Sequence, residues 1–189
     1  MRKIFLILGL TRGLFASIES EVENERFTRY SDVVIDNWLG ISFQDNNAVA
    51  SNHPQYYETA KEYCSNLKLG GKSDWRLPSK SELVYGHSIN YKFINHEKWS
   101  YWSSNTEVYK DPKSQYKYKA YQAWVVYFRD SNIQPPVELH VYKQVNAFMR
   151  HMALSKSKVI CVRGKKYTDI NNISNAVSQN KNKKLSFRT

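Results

Sequence analysis

The chain carries two kinds of apolar pattern. Val33, Val34 and Ile35 form a β-branched run, Asp36-Asn37 opens a turn, Gly40 closes it, and Ile41 and Phe43 then alternate with Ser42 and Gln44. This predicts a hairpin near the start of a folded unit that begins at Phe27. Further on, Ala60, Tyr63, Cys64 and Leu67 fall at the spacing of one helical face, while Lys61, Glu62, Ser65 and Lys68 fall opposite. A first helix is therefore predicted over 57–69, with Cys64 facing inward. A second is predicted over 80–85, opened by Ser79 and Glu82 as a capping box and stopped at Gly86. Residues 87–100 read as an irregular polar loop, and Tyr101-Trp102-Ser103 resumes a strand. The segment 123–129 is the clearest strand of the chain, and 159–163 is a closing one. Residues 137–152 fit strand and helix equally well.

The two ends differ from this middle. Residues 1–16 start with Arg2 and Lys3, pass through the apolar run 4–10 and reach Ala16, the outline of a secretory signal too short for an ordinary membrane-spanning helix; retention as a short anchor is the alternative. Residues 17–26, with Glu19, Glu21, Glu23 and Glu25, show no apolar period and are expected to be a polar linker. Residues 165–189 mix asparagines, lysines and serines and are expected to be a basic, disordered tail.

Between the helices lies Gly70-Gly71-Lys72-Ser73-Asp74-Trp75-Arg76-Leu77-Pro78-Ser79, which combines a helix stop, a large aromatic and a rigid turn. With residues 33–45, the helical Ala60-Lys61-Glu62-Tyr63-Cys64, Tyr101-Trp102-Ser103-Ser104, 123–128 and 159–164, it forms an ordered set of segments. This set resembles the bacterial domain family named after the C-terminal domain of the Legionella collagen-like adhesin, over roughly residues 27–164. The resemblance implies an α+β, C-type-lectin-like fold: two short helices packed on small antiparallel sheets, with long loops and one disulfide. Cys64 and Cys161 are the only cysteines. In an exported chain they read as a pair, and a clamp between an early helix and a late strand is also what the resemblance implies; two buried thiols of a cytoplasmic protein are the competing reading. Trp38, Trp75, Arg76, Leu77, Pro78, Trp102 and Trp124 sit at the family's framework positions.

The formal charge of +11 is concentrated at the ends. Arg2, Lys3 and Arg12 supply three charges and the last 25 residues a net five, leaving only three on residues 17–164. The most suggestive surface feature is the stretch 106–121, where lysines alternate with tyrosines. Lys110, Lys113, Tyr116, Lys117, Tyr118 and Lys119 are its candidate ligand contacts, since ammonium groups neutralise sulfates or carboxylates and tyrosines stack on sugar rings. A solvated insertion covering a sheet edge is the plainer reading.

No catalytic motif or metal-ligand spacing is visible. Asp36 and Asp45 are expected to serve turn hydrogen bonds rather than calcium, and His87 and His96 to be loop residues. The formylglycine-generating enzymes of this fold depend on cysteine, and both cysteines here are claimed by the clamp. Gln134-Pro135-Pro136 lacks the third ligand of the lectins' calcium triplet. No cofactor or metal is expected. The expected function is a non-catalytic module, periplasmic or extracellular, that binds an anionic polysaccharide or a cell-surface protein. A periplasmic enzyme or accessory subunit is the alternative, and nucleic acid is not an expected partner.

Overall fold

A computed structural model describes residues 21–22, 24–51, 53–89, 92–95, 99–109, 120–128, 141–146 and 156–187. The strands are β1 (Phe27–Tyr30), β2 (Val33–Asp36), β3 (Ile41–Gln44), β4 (Ser100–Tyr109), β5 (Ala120–Tyr127), β6 (Val141–Asn146) and β7 (Val162–Gly164). The helices are α1 (Asn47–Ser51), α2 (Tyr57–Asn66), α3 (Lys80–Ser88) and α4 (Ile170–Ser186). Two antiparallel sheets form, in the orders β1-β2-β3-β7 and β4-β5-β6. The architecture is α+β with small antiparallel sheets, as the sequence predicts.

Continuous apolar runs, rather than alternating ones, have a direct cause. Successive side chains of a strand point to opposite faces, and here both faces are buried. Val34, Tyr101, Val126, Ile160 and Val162 enter one core with Leu39, Phe43 and Leu83. Their chain neighbours Val33, Trp102, Val125, Val159 and Cys161 enter a second core with Tyr57, Ala60, Cys64, Trp75 and Leu77. The disulfide Cys64–Cys161 lies in this second core and joins α2 to the segment leading into β7.

The chain closes on itself through β7, which pairs with β3 in the register Ile41↔Gly164, Ser42↔Arg163 and Phe43↔Val162. Its other edge is taken by Arg76, whose N–H and C=O both bond Val162, at 2.8 and 2.9 Å. Gly164 is required there: a Cβ at this position would stand 2.2 Å from the Gly40 carbonyl oxygen. The second sheet meets the same stretch at an irregularity of β4 between Trp102 and Thr106. There the Ser104 N–H donates to the Pro78 carbonyl at 2.6 Å, and the Lys80 N–H to Asn105 Oδ1 at 2.7 Å.

Several expectations are corrected. Helix α3 passes through Gly86 and ends at Ser88, so His87 is helical; Gly86 is there for space, since a Cβ would lie 3.1 Å from the Phe43 ring. The ambiguous 137–152 contributes the strand β6. Part of the lysine and tyrosine stretch, 106–109 and 120–121, belongs to β4 and β5. Residues expected as linker include Val22 and Arg26, both buried.

The largest correction concerns the end of the chain. Residues 165–187 are not a disordered tail: Tyr167 and Ile173 are buried, Ala176 and Val177 pack on the first core, and α4 runs for 17 residues. Its apolar positions are few but fall on one face, and hydrogen bonds complete the docking. The Tyr167 hydroxyl donates to the Leu39 carbonyl at 2.9 Å and Asn180 Nδ2 to the Trp38 carbonyl at 2.9 Å. Among the described residues no helix is long and apolar enough to cross a membrane.

Candidate functional site

Three buried polar hubs tie the fold together, and framework residues enter the first two, Arg76 and Trp38. In the first, Glu82 is fully buried at the third position of α3 and receives four donors. Arg76 clamps it with both guanidinium nitrogens at 2.7 and 2.8 Å, the Ser79 N–H bonds it at 2.7 Å, and the Tyr167 N–H at 2.8 Å. Ser79 closes the capping box by accepting from the Glu82 N–H at 3.0 Å, and its hydroxyl donates to the Tyr167 carbonyl. The Arg-Leu-Pro-Ser stretch thus reads out the C-terminal segment as well as starting a helix.

In the second hub Asp36 accepts from the Trp38 and Leu39 N–H groups, holding the turn, and from Arg26 and the Tyr85 hydroxyl. Arg26 lies 4.9 Å over Trp38 and 4.8 Å over Phe27. Burial, followed by the Asp36 charge beside it, pushes the Tyr85 phenol far above its ordinary value of 10.0. The raised value means the folded state holds this proton more tightly than the unfolded chain. Stability is therefore full below the unfolded value and falls as pH rises past it. The urea midpoint is expected to drop on raising the pH above about 10, and to drop less steeply in Tyr85→Phe, whose midpoint at neutral pH is lower because Asp36 loses a donor.

In the third hub Asp45, also fully buried, accepts from Arg29 and from the Ile94 and Asn95 N–H groups at 2.9 and 2.8 Å. Asp36 shapes its own turn as expected and also binds Tyr85, whereas the Asp45 carboxylate bonds Arg29 and the segment at Ile94 and Asn95 in place of its own turn.

The remaining motif residues fill the cores. Trp75 Nε1 donates to the Leu69 carbonyl at 3.2 Å, and Trp102 Nε1 to the Gln55 carbonyl at 2.8 Å, its ring standing edge-on to Tyr57. Leu77 and Pro78 are buried, and Trp124 is half-buried beneath the Lys80 ammonium at 4.5 Å. The candidate contacts Lys110, Lys113, Tyr116, Lys117, Tyr118 and Lys119 lie outside the described residues, as do residues 1–16. They belong to the segment joining Tyr109 to its register partner Ala120. His87 packs edge-on against Phe128, and among the described residues no group of three or more His, Cys, Asp or Glu side chains is arranged to hold a metal ion.

Depressions on the described surface include two of note. One, about 520 Å³, runs along α2 between Gln55, Thr59, Glu62, Tyr63, Asn66 and Lys68. The other, about 380 Å³, lies between two tight turns, Tyr30-Ser31-Asp32-Val33 and Gly70-Gly71. The sequence pattern flags neither; for the second the reason is that no local periodicity marks where two distant turns meet.

Comparison with known proteins places this geometry in a family. A family profile described as the Lcl C-terminal domain matches residues 32–150. No curated protein and no solved structure matches the chain. The matched stretch carries the Trp38 turn, α2 with Cys64, the Arg76–Glu82 hub and the β4–β5 pair, and ends before Cys161, β7 and α4. As it spans well over half of the sequence, the chain belongs to the Lcl C-terminal domain family.

Proposed function

We propose that this protein is an exported, non-catalytic binding module of C-type-lectin-like fold that recognises an anionic glycan or a cell-surface partner in the manner of an adhesin. Membership in an adhesin-associated family carries this reading. The buried hubs support it: Glu82, Asp36 and Asp45 are each saturated by donors from within the fold, which leaves recognition to the connecting segments. The segment 110–119 supplies four lysines and three consecutive aromatic-basic positions at Tyr116, Lys117 and Tyr118.

The test is retention on immobilised heparin as a function of salt. Replacing Lys110, Lys113, Lys117 and Lys119 together by alanine is expected to reduce the slope of log affinity against log salt by about three, as those counterions are no longer released. Because α4 is part of the fold, its lysines are tested by Lys183→Ala with Lys184→Ala rather than by truncation. Loss of retention in that pair, with the segment variant unaffected, refutes the assignment.

A further inference from the structure

The hairpin joining β1 to β2 pairs Tyr30 with Val33, leaving Ser31 and Asp32 as a two-residue turn. Ser31 takes a φ of +50°, a conformation glycine usually supplies at the first turn position. A serine held there is over-determined by its surroundings, and such residues gather at ligand clamps. Here the turn is pinned on both sides: the Tyr30–Val33 register fixes its ends, and the Asp32 carbonyl accepts from the Asp45 N–H at 2.7 Å.

Opposite stands a second tight turn, Gly70-Gly71, closed by reciprocal bonds between Leu69 and Lys72 at 3.0 and 3.1 Å. Both glycines have positive φ, and a Cβ on Gly71 would meet nothing within 4 Å. That wall of the cleft is bare main chain, open to close approach. On the near wall Tyr30 leaves 67% of its surface exposed, high for an aromatic, and the Asp32 carboxylate is exposed with no basic side chain among the described residues paired to it.

We propose that this cleft of about 380 Å³ binds the terminal ring of an uncharged sugar. The Tyr30 ring offers a stacking face for the C–H side of a pyranose. The Asp32 carboxylate accepts from two neighbouring hydroxyls, a charge-assisted pair of bonds that a sulfated or carboxylated ring would forfeit by repulsion. The bare Gly70-Gly71 main chain receives the remaining hydroxyls. The volume falls in the lower range of small-ligand sites. One aromatic ring with one carboxylate on the same wall favours a hydroxylated ring over a quaternary ammonium, which needs several rings to cage it. The inference rests on the reading of the protein as a glycan-binding module only for the class of ligand; its site and its charge preference are different.

The experiment is saturation-transfer NMR on the full exported chain with methyl glucoside, methyl galactoside and methyl N-acetylglucosaminide as probes, and choline chloride as a fourth. Transfer to at least one glycoside is expected, unchanged by high salt, and weakened at least about tenfold in affinity in Tyr30→Ala and in Asp32→Asn. Both residues are exposed, so these variants fold, and their heparin retention is expected to match wild type. Failure of that retention in every form bears on the anionic-glycan reading and not on the cleft. No transfer to any glycoside, transfer to choline alone, or glycoside transfer that survives both substitutions overturns the proposal.

Discussion

Glu82→Ala is expected to lower the free energy of unfolding by about 3–5 kcal/mol, among the largest effects available to a single substitution here. The carboxylate is fully buried, while Arg76 keeps about a quarter of its side chain exposed. Removing the carboxylate strands a guanidinium and leaves two N–H groups, those of Ser79 and Tyr167, without their acceptor. It also dissolves the capping box of α3 and releases the start of the C-terminal segment. Chemical denaturation of Glu82→Ala measures the loss. Arg76→Met combined with Glu82→Gln is expected to be less damaged than Glu82→Ala, because the charge goes with its partner and an oxygen remains for the N–H groups. A Glu82→Ala loss below about 1 kcal/mol would show that water substitutes for the carboxylate and that the hub is not structural.

Replacing both Cys64 and Cys161 by alanine is expected to cost about 4–5 kcal/mol, since the clamp closes a loop with a sequence separation of 97. At about 2–4 °C per kcal/mol for a domain of this size, the thermal midpoint falls by about 8–20 °C. Both sulfurs are bound in the disulfide, so alkylation in denaturant without reductant is expected to label neither, whereas reduction in denaturant followed by alkylation labels both. Labelling of both thiols in unreduced protein would remove the clamp from the account. The double variant is also the stricter test of how much of the α2 and β7 junction is held by packing of Trp75, Trp102 and Val159 alone.

Local rules made much of this fold legible. The spacing of Ala60, Tyr63, Cys64 and Leu67 announced α2 with Cys64 inward, and Ser79 with Glu82 announced the start of α3 as a capping box, which is the geometry observed. Local rules failed where a distant group decides. Gly86 looks like a stop until Phe43, from strand β3, is seen to need the missing side chain's space. Residues 165–187 look disordered because asparagine and lysine dominate the average, while the few positions that matter, Tyr167, Ile173 and Val177, are rewarded only by the surface of α3 and the Trp38 turn. The candidate cleft was illegible for the same reason, being made by two turns about 40 residues apart.

The pairing of β3 with β7 carries a consequence for how the molecule comes into being. Ile41, Ser42 and Phe43 find their neighbours only at positions 162–164, and Arg76 finds its strand partner there too. As the polypeptide emerges from N to C terminus, the first sheet must wait with one margin unfilled until residues 162–164 have been made, and such late, non-local closure is slow. Strand insertion, sulfur pairing and seating of α4 thus arrive together, long after β3 is made, and a nascent product arrested before β7 presents a sticky edge instead of a finished domain.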